Sequence, residues 1–219
     1  LNNEWETADQ LLSGNVVSKW RIAAKLADRN PENVQLLRSL QALEKVQPEK
    51  IAFELLDFNL GERWIPLNYY NRFASHLFEL NAEVSYFPSV DTFKVKLSSS
   101  NAKIDQEYSV QPKDGRRMYG DKLLEHALEN TTPFFSYEVD MGDKTIRVPD
   151  NDAIQLGHQK VESIRNSFVD WLKGLPEPEK TELANLYNDT FNCYVLREYD
   201  GSHLLFPGLD KSRLGIDDL

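Results

Sequence analysis

Cysteine occurs once in 219 residues, at Cys193, with no CxxC or Cys/His cluster around it. That excludes an internal disulfide and a zinc module, and it points to a reducing, cytoplasmic setting. Long apolar runs are missing too. None reaches the roughly 20 residues that span a bilayer, and the opening Leu1-Asn2-Asn3-Glu4-Trp5-Glu6 has nothing of a signal peptide, so no membrane association is expected. Cations are outnumbered: 25 Lys and Arg face 35 Asp and Glu, a net charge of −10, which excludes a surface that grips phosphates throughout. The phosphate loop GxxxxGK[ST], a strand–GxGxxG–helix, HExxH and GxSxG are all absent, and with them the familiar nucleotide, zinc-hydrolase and serine-hydrolase signatures. The chain begins on Leu and ends on Gly215-Ile216-Asp217-Asp218-Leu219, which suggests a segment of a longer polypeptide.

What is present is enough apolar and aromatic residue to bury a core. Val16, Trp20, Ala23, Ala24 and Ala27 follow Ser13-Gly14-Asn15 at helical spacing, and Leu36, Leu37, Leu40 and Leu43 repeat the pattern. Asn30-Pro31 and Gln47-Pro48 stop the two, giving a helical hairpin over residues 1–48. Phe53, Leu55, Phe58 and Leu60 come closer to the alternation of a strand, ahead of a turn at Gly61-Glu62-Arg63. Pro66 opens a helix with Tyr70, Phe73, Leu77 and Phe78 on one face. Thr92 to Leu97 alternates strictly and reads as a half-buried antiparallel strand with a basic outer face, preceded by a strand at Val84 to Phe87. A helix over 122–129, a hairpin turning at Met141-Gly142-Asp143, a long helix over 150–175 and a last helix over 178–191 complete the reading. The expected fold is α+β: the hairpin at 1–48, a small antiparallel sheet with helices at 49–149, a C-terminal pair of long helices at 150–195, and a connector at 196–219.

Three groups of residues could carry chemistry. Between 94 and 117 the charge turns positive, and Lys94, Lys96, Lys113, Arg116 and Arg117 form a candidate DNA contact, with Tyr86 or Phe87 placed to stack on an unpaired base. Glu138, Asp140, Asp143 and Lys144 supply the residue types of a metal-dependent nuclease on a hairpin, the alternative enzymatic reading. His158 and Glu162 lie one helical turn apart, yet two ligands do not make a metal site. His76 borders the apolar face of its helix and reads as a surface or satisfied histidine. The run Arg197-Glu198-Tyr199-Asp200-Gly201-Ser202-His203 is the densest in functional side chains and reads as an ordered connector, because neighbours on an extended segment point apart. No catalytic residue, metal or cofactor is assigned.

Several runs together resemble one family, the very large adenine-specific DNA methylase/helicase fusion proteins of phages, plasmids and conjugative elements. They are Leu12-Ser13-Gly14-Asn15-Val16, Leu60-Gly61-Glu62-Arg63-Trp64-Ile65-Pro66, Tyr119-Gly120, Leu186-Tyr187-Asn188-Asp189-Thr190-Phe191-Asn192, Arg197 to Leu204, and Pro207-Gly208. The resemblance covers almost the whole chain and implies a place after the methylase and before a Swi/Snf-like helicase motor. It gives the chain no catalytic residue, since the methylase NPPY-type motif and the helicase phosphate loop and DExx box are missing. The function implied is a non-catalytic accessory or connector domain that positions the motor and contacts DNA. Its partners would be the methylase and helicase modules of the same polypeptide. A protein-interaction module, its acidic surface meeting a basic partner, is the third reading.

Overall fold

The computed structural model describes residues 6–199. Its mixture of helices with small antiparallel two-stranded sheets makes the chain α+β, as its periodicities predict. Among the described residues no helix is long and apolar enough to cross a membrane. The described chain divides into two compact units, one made of residues up to Ile51 together with those from Asn185 onward, the other of Ala52–Ala184.

In the first unit a short helix α1 (Ala8–Leu11) precedes strand β1 (Gly14–Asn15), then α2 (Val16–Arg29) and α3 (Val34–Lys45). Both longer helices start on an asparagine whose side chain accepts from the third residue beyond it, Asn15 from Ser18 at 2.8 Å and Asn33 from Leu36 at 3.1 Å. Val16, Ala23 and Leu43 form the centre of a small core that Trp20, Leu36 and Leu40 border. Strand β1 pairs antiparallel with Tyr194–Val195, the last strand among the described residues. Asn188 closes the unit by donating to the Ile51 carbonyl and accepting from its N–H, both at 2.9 Å.

The second unit holds the larger core. Residues 51–60, expected as a strand, instead form a single 3-10 turn at Phe53–Leu55 and irregular chain. The reason is local: Phe53, Phe58 and Trp64 pack ring on ring, with centroids 4.7 and 5.9 Å apart, which a straight strand with alternating side chains would not allow. Helix α4 (Leu67–Phe78) then leads to the hairpin of β2 (Ala82–Phe87) and β3 (Thr92–Leu97). A five-residue π-helical turn (Lys103–Glu107) and α5 (Gly120–Leu128) follow, then the hairpin of β4 (Ser136–Asp140) and β5 (Thr145–Pro149), and α6 (Asn151–Lys173). The seam of α6 docks inside its own unit: Phe168 lies between Tyr70 and Phe73 of α4, at 5.6 and 5.1 Å. Helix α7 (Glu177–Thr190) contributes Leu183 to this core, and β6 (Tyr194–Val195) is the partner of β1.

The β2–β3 hairpin is sealed on both sides. Backbone N–H groups that point away from the ladder meet side chains of the flanking helices: Val84 donates to Asn71 and Ala82 to Ser75 on α4, while Val95 donates to Glu125 and Phe93 to Glu129 at α5. The outward N–H groups of the four buried residues, Ala82, Val84, Phe93 and Val95, which would be costly to leave unpaired, are thereby satisfied.

Candidate functional site

Leu60, Gly61, Glu62 and Arg63, the first half of the motif that runs on through Trp64-Ile65-Pro66, form one wall of a cleft of about 580 Å³, closed by the end of α5 and the middle of α6. Gly61 adopts φ +94°, and a Cβ there would stand 1.8 Å from the Leu128 carbonyl oxygen, so both the backbone angle and the close approach require glycine. Glu62 accepts from Asn59 at 3.0 Å and from the Trp64 indole at 2.7 Å. Its carbonyl takes the Tyr70 hydroxyl at 2.7 Å, and burial pushes that phenol far above the usual tyrosine range. Arg63 lies over the Phe93 and Tyr86 rings at 4.5 and 5.0 Å and donates to Asp91 at 2.8 Å and to the Gly61 carbonyl. Across the cleft Arg165 donates to the Ala127 carbonyl and pairs with Glu162. Each charged side chain lining the cleft thus has a hydrogen-bond or ion-pair partner, Glu129 through the Phe93 N–H, and exposed Asn130 and Asn166 remain as polar groups facing solvent.

The basic residues are split between two anchors. Lys94 lies on the outer face of β3, 3.2 Å from Glu125, which Lys122 also approaches at 2.9 Å. Burial opposes ionisation of Glu125, but Lys122, the Val95 N–H and Lys94 together hold its carboxyl below the ordinary glutamate range. Lys96 is exposed and stands opposite Glu83 in the ladder. Lys113 is spent at the start of α6. Its ammonium is 2.9 Å from Asp152 and 3.6 Å from Asp150 and lies over the Tyr137 ring at 5.2 Å. Its own N–H donates to Asp150 at 2.8 Å, the largest influence keeping that carboxyl below its usual range. Arg117 donates to Gln111 and to the Asp105 carbonyl, at 3.2 and 3.0 Å. Only Arg116 and Lys96 of the five have no ion pair or hydrogen bond among the described residues. Tyr86, considered for stacking, is covered by Arg63 and donates to Asp91 at 2.7 Å, whereas Phe87 is exposed.

The other candidates stay apart. On the β4–β5 hairpin Glu138 reaches Arg147 at 3.9 Å, Asp140 accepts from Gly142 at 2.8 Å, and Asp143 and Lys144 stand at the tip. His158 is exposed while Glu162 turns to Arg165, and His76 is exposed on α4. Among the described residues no three His, Cys, Asp or Glu side chains are arranged to hold a metal. Of the connector motif, Arg197 donates to Asp9 at 2.7 Å and lies over Tyr199 at 5.0 Å, and Glu198 is exposed. Asp200, Ser202 and His203 lie outside the described residues, as do Leu204 and Pro207-Gly208.

Two buried acids escaped sequence reasoning: Glu125 and Asp150. Asp150 had a legible signal, an aspartate immediately before a long helical pattern, the place of an N-cap, and it accepts from Ala153 at 3.3 Å. Glu125 sits beside Leu124 and Leu128 on the buried face of α5, and only the neighbouring strand reveals why.

Over residues 59–193, the sequence matches a family described as a domain of unknown function, DUF8437. The chain belongs to that family. The DUF8437 region opens at Asn59, on the turn that forms the cleft, and takes in both central hairpins, α6 and α7. No curated protein and no solved structure matches the chain.

Proposed function

We propose that the chain is a non-catalytic framework module of an adenine-specific DNA methylase/helicase polypeptide, holding the two activities in register. The observation that carries this reading is where the family-like runs are used. Gly61 lets the backbone touch Leu128, Glu62 and Arg63 brace the turn, and Gly120 packs against Phe78 and Tyr108, where a Cβ would meet the Phe78 ring at 2.8 Å. Asn15 caps α2, and Asn188 and Asn192 bind the backbone of Ile51 and Glu49. These residues are committed to rigidity, which suits a spacer between a base-modifying module and a translocating motor. DNA contact in this reading falls to Lys96 and Arg116, which make no ion pair or hydrogen bond among the described residues, and is a positioning contact with phosphates.

The reading frame supplies the first test. A frame with no methylase ahead of the chain and no motor behind it overturns the proposal. Where both are present, Gly61→Val in the whole polypeptide is expected to lower DNA-stimulated ATP hydrolysis, while a methylase fragment expressed alone keeps its activity. Unchanged ATP hydrolysis would count against a positioning role. Fluorescence anisotropy with labelled duplex DNA at low salt, comparing wild type with Lys96→Ala/Arg116→Ala, tests the contact.

A further inference from the structure

The β4–β5 hairpin differs from β2–β3 in one respect that matters for recognition: one of its edges is open. The hydrogen bonds from Asp150 to the Phe135 carbonyl and from Met141 to the Lys144 carbonyl set the ladder phase, so Tyr137 and Val139 face β5 while the backbones of Ser136, Glu138 and Asp140 face away. Among the described residues no backbone or side-chain hydrogen bond reaches those outward N–H and C=O groups. The opposite edge, along β5, is blunted by Pro149, which has no N–H to offer.

The open edge carries a charge signature. Glu138 and Asp140 put two carboxylates on the face that Ser136 shares, both exposed, with Arg147 3.9 Å from Glu138 as the one cation in the ladder. The other face presents Tyr137, Val139, Ile146 and Val148. Two copies of β4 paired antiparallel about Glu138 would set glutamate directly against glutamate, which disfavours self-association. A strand alternating basic and apolar residues matches both faces: cations opposite Glu138 and Asp140, apolar side chains beside Tyr137 and Val139.

We propose that β4 is a docking edge for an extended, lysine- or arginine-bearing segment of a protein partner, added as a third antiparallel or parallel strand. The inference stands without the methylase/helicase reading, since it rests on the ladder phase and the edge charges alone.

The test uses the full chain and an eight-residue peptide alternating lysine and valine, followed by amide hydrogen exchange. Exchange at Ser136, Glu138 and Asp140 is expected to slow, by roughly ten-fold when roughly nine-tenths of the chain is occupied. The peptide alternating glutamate and valine should leave it unchanged. Glu138→Pro removes the central outward N–H and spares the ladder bonds at Tyr137 and Val139, so it should abolish the protection. Retained slow exchange at Val139 and Val148 reports that the hairpin is intact in that variant. Should Glu138→Pro disturb it, Glu138→Gln/Asp140→Asn serves instead, with weaker binding of the lysine peptide expected. Equal protection by the acidic peptide, no protection by the basic one, or dimers of the chain formed through this edge would each overturn the proposal.

Discussion

Two hairpins of similar length, β2–β3 and β4–β5, lie in one unit of the chain and are built on opposite terms. The first has Phe93, Val84 and Val95 buried, and the outward amides of its buried residues are met by Asn71, Ser75, Glu125 and Glu129. The second keeps its residues half-buried or exposed, and among the described residues no side chain hydrogen-bonds to the outward backbone groups of β4. A two-stranded ribbon is marginal in water unless something covers it. The difference teaches that edge satisfaction, and not strand propensity, separates the hairpin that the core absorbs from the one that stays at the surface.

The largest effect that would break this contrast is at Phe93. Phe93→Ala is expected to cost about 3–5 kcal/mol by urea unfolding, because a ring 1% exposed leaves a cavity under Tyr70, Tyr86 and Arg63. Glu125→Ala should cost about 2 kcal/mol, since it strands the Val95 N–H and leaves Lys94 and Lys122 without their carboxylate. A loss no greater than that of a surface change would mean the sealed edge contributes nothing.

Acid sharpens the comparison. The carboxyl of Glu125 is held below the ordinary value of 4.5, so its contribution is complete above that pH and is lost as pH falls through the lower folded value. The stability gap between wild type and Glu125→Gln, measured by urea unfolding from neutral pH downward, should therefore stay constant to about pH 5 and shrink below it. A gap independent of pH would remove the charge from the account. The smallest effect belongs to the open hairpin: Ile146, 37% exposed, changed to Ala should cost under about 0.5 kcal/mol.

Much of the fold was legible because helices announce themselves twice, by spacing and by caps. Asn15, Asn33 and Pro66 mark starts, and the seam Val161, Ile164, Phe168 marks a buried face. The β3 strand was equally plain from Phe93, Val95 and Leu97 alternating with lysines. What sequence could not show depends on partners far along the chain. Gly14 pairs with Val195, and Asn188 holds the backbone of Ile51, across separations that no local pattern encodes. The basic residues were legible as a charge excess, but not their compensation. Lys113 meets Asp150 and Asp152 only after the long helix is set in place, and Lys94 meets Glu125 only because α5 lies along β3. Residues 51–60 misled because aromatic spacing near that of a strand can equally serve a local ring cluster.

Cys193 is 1% exposed, its sulfur accepting from Asn15 at 3.4 Å and its carbonyl from Val16 at 3.1 Å. Being the single thiol in the sequence, it is a built-in reporter: a colourless disulfide reagent can colour the solution only when the structure around Cys193 opens. The rate of that reaction clocks opening of the terminal unit by itself, so the effects of changes at Phe93 or Glu125 can be separated into those that stay in Ala52–Ala184 and those that spread beyond it.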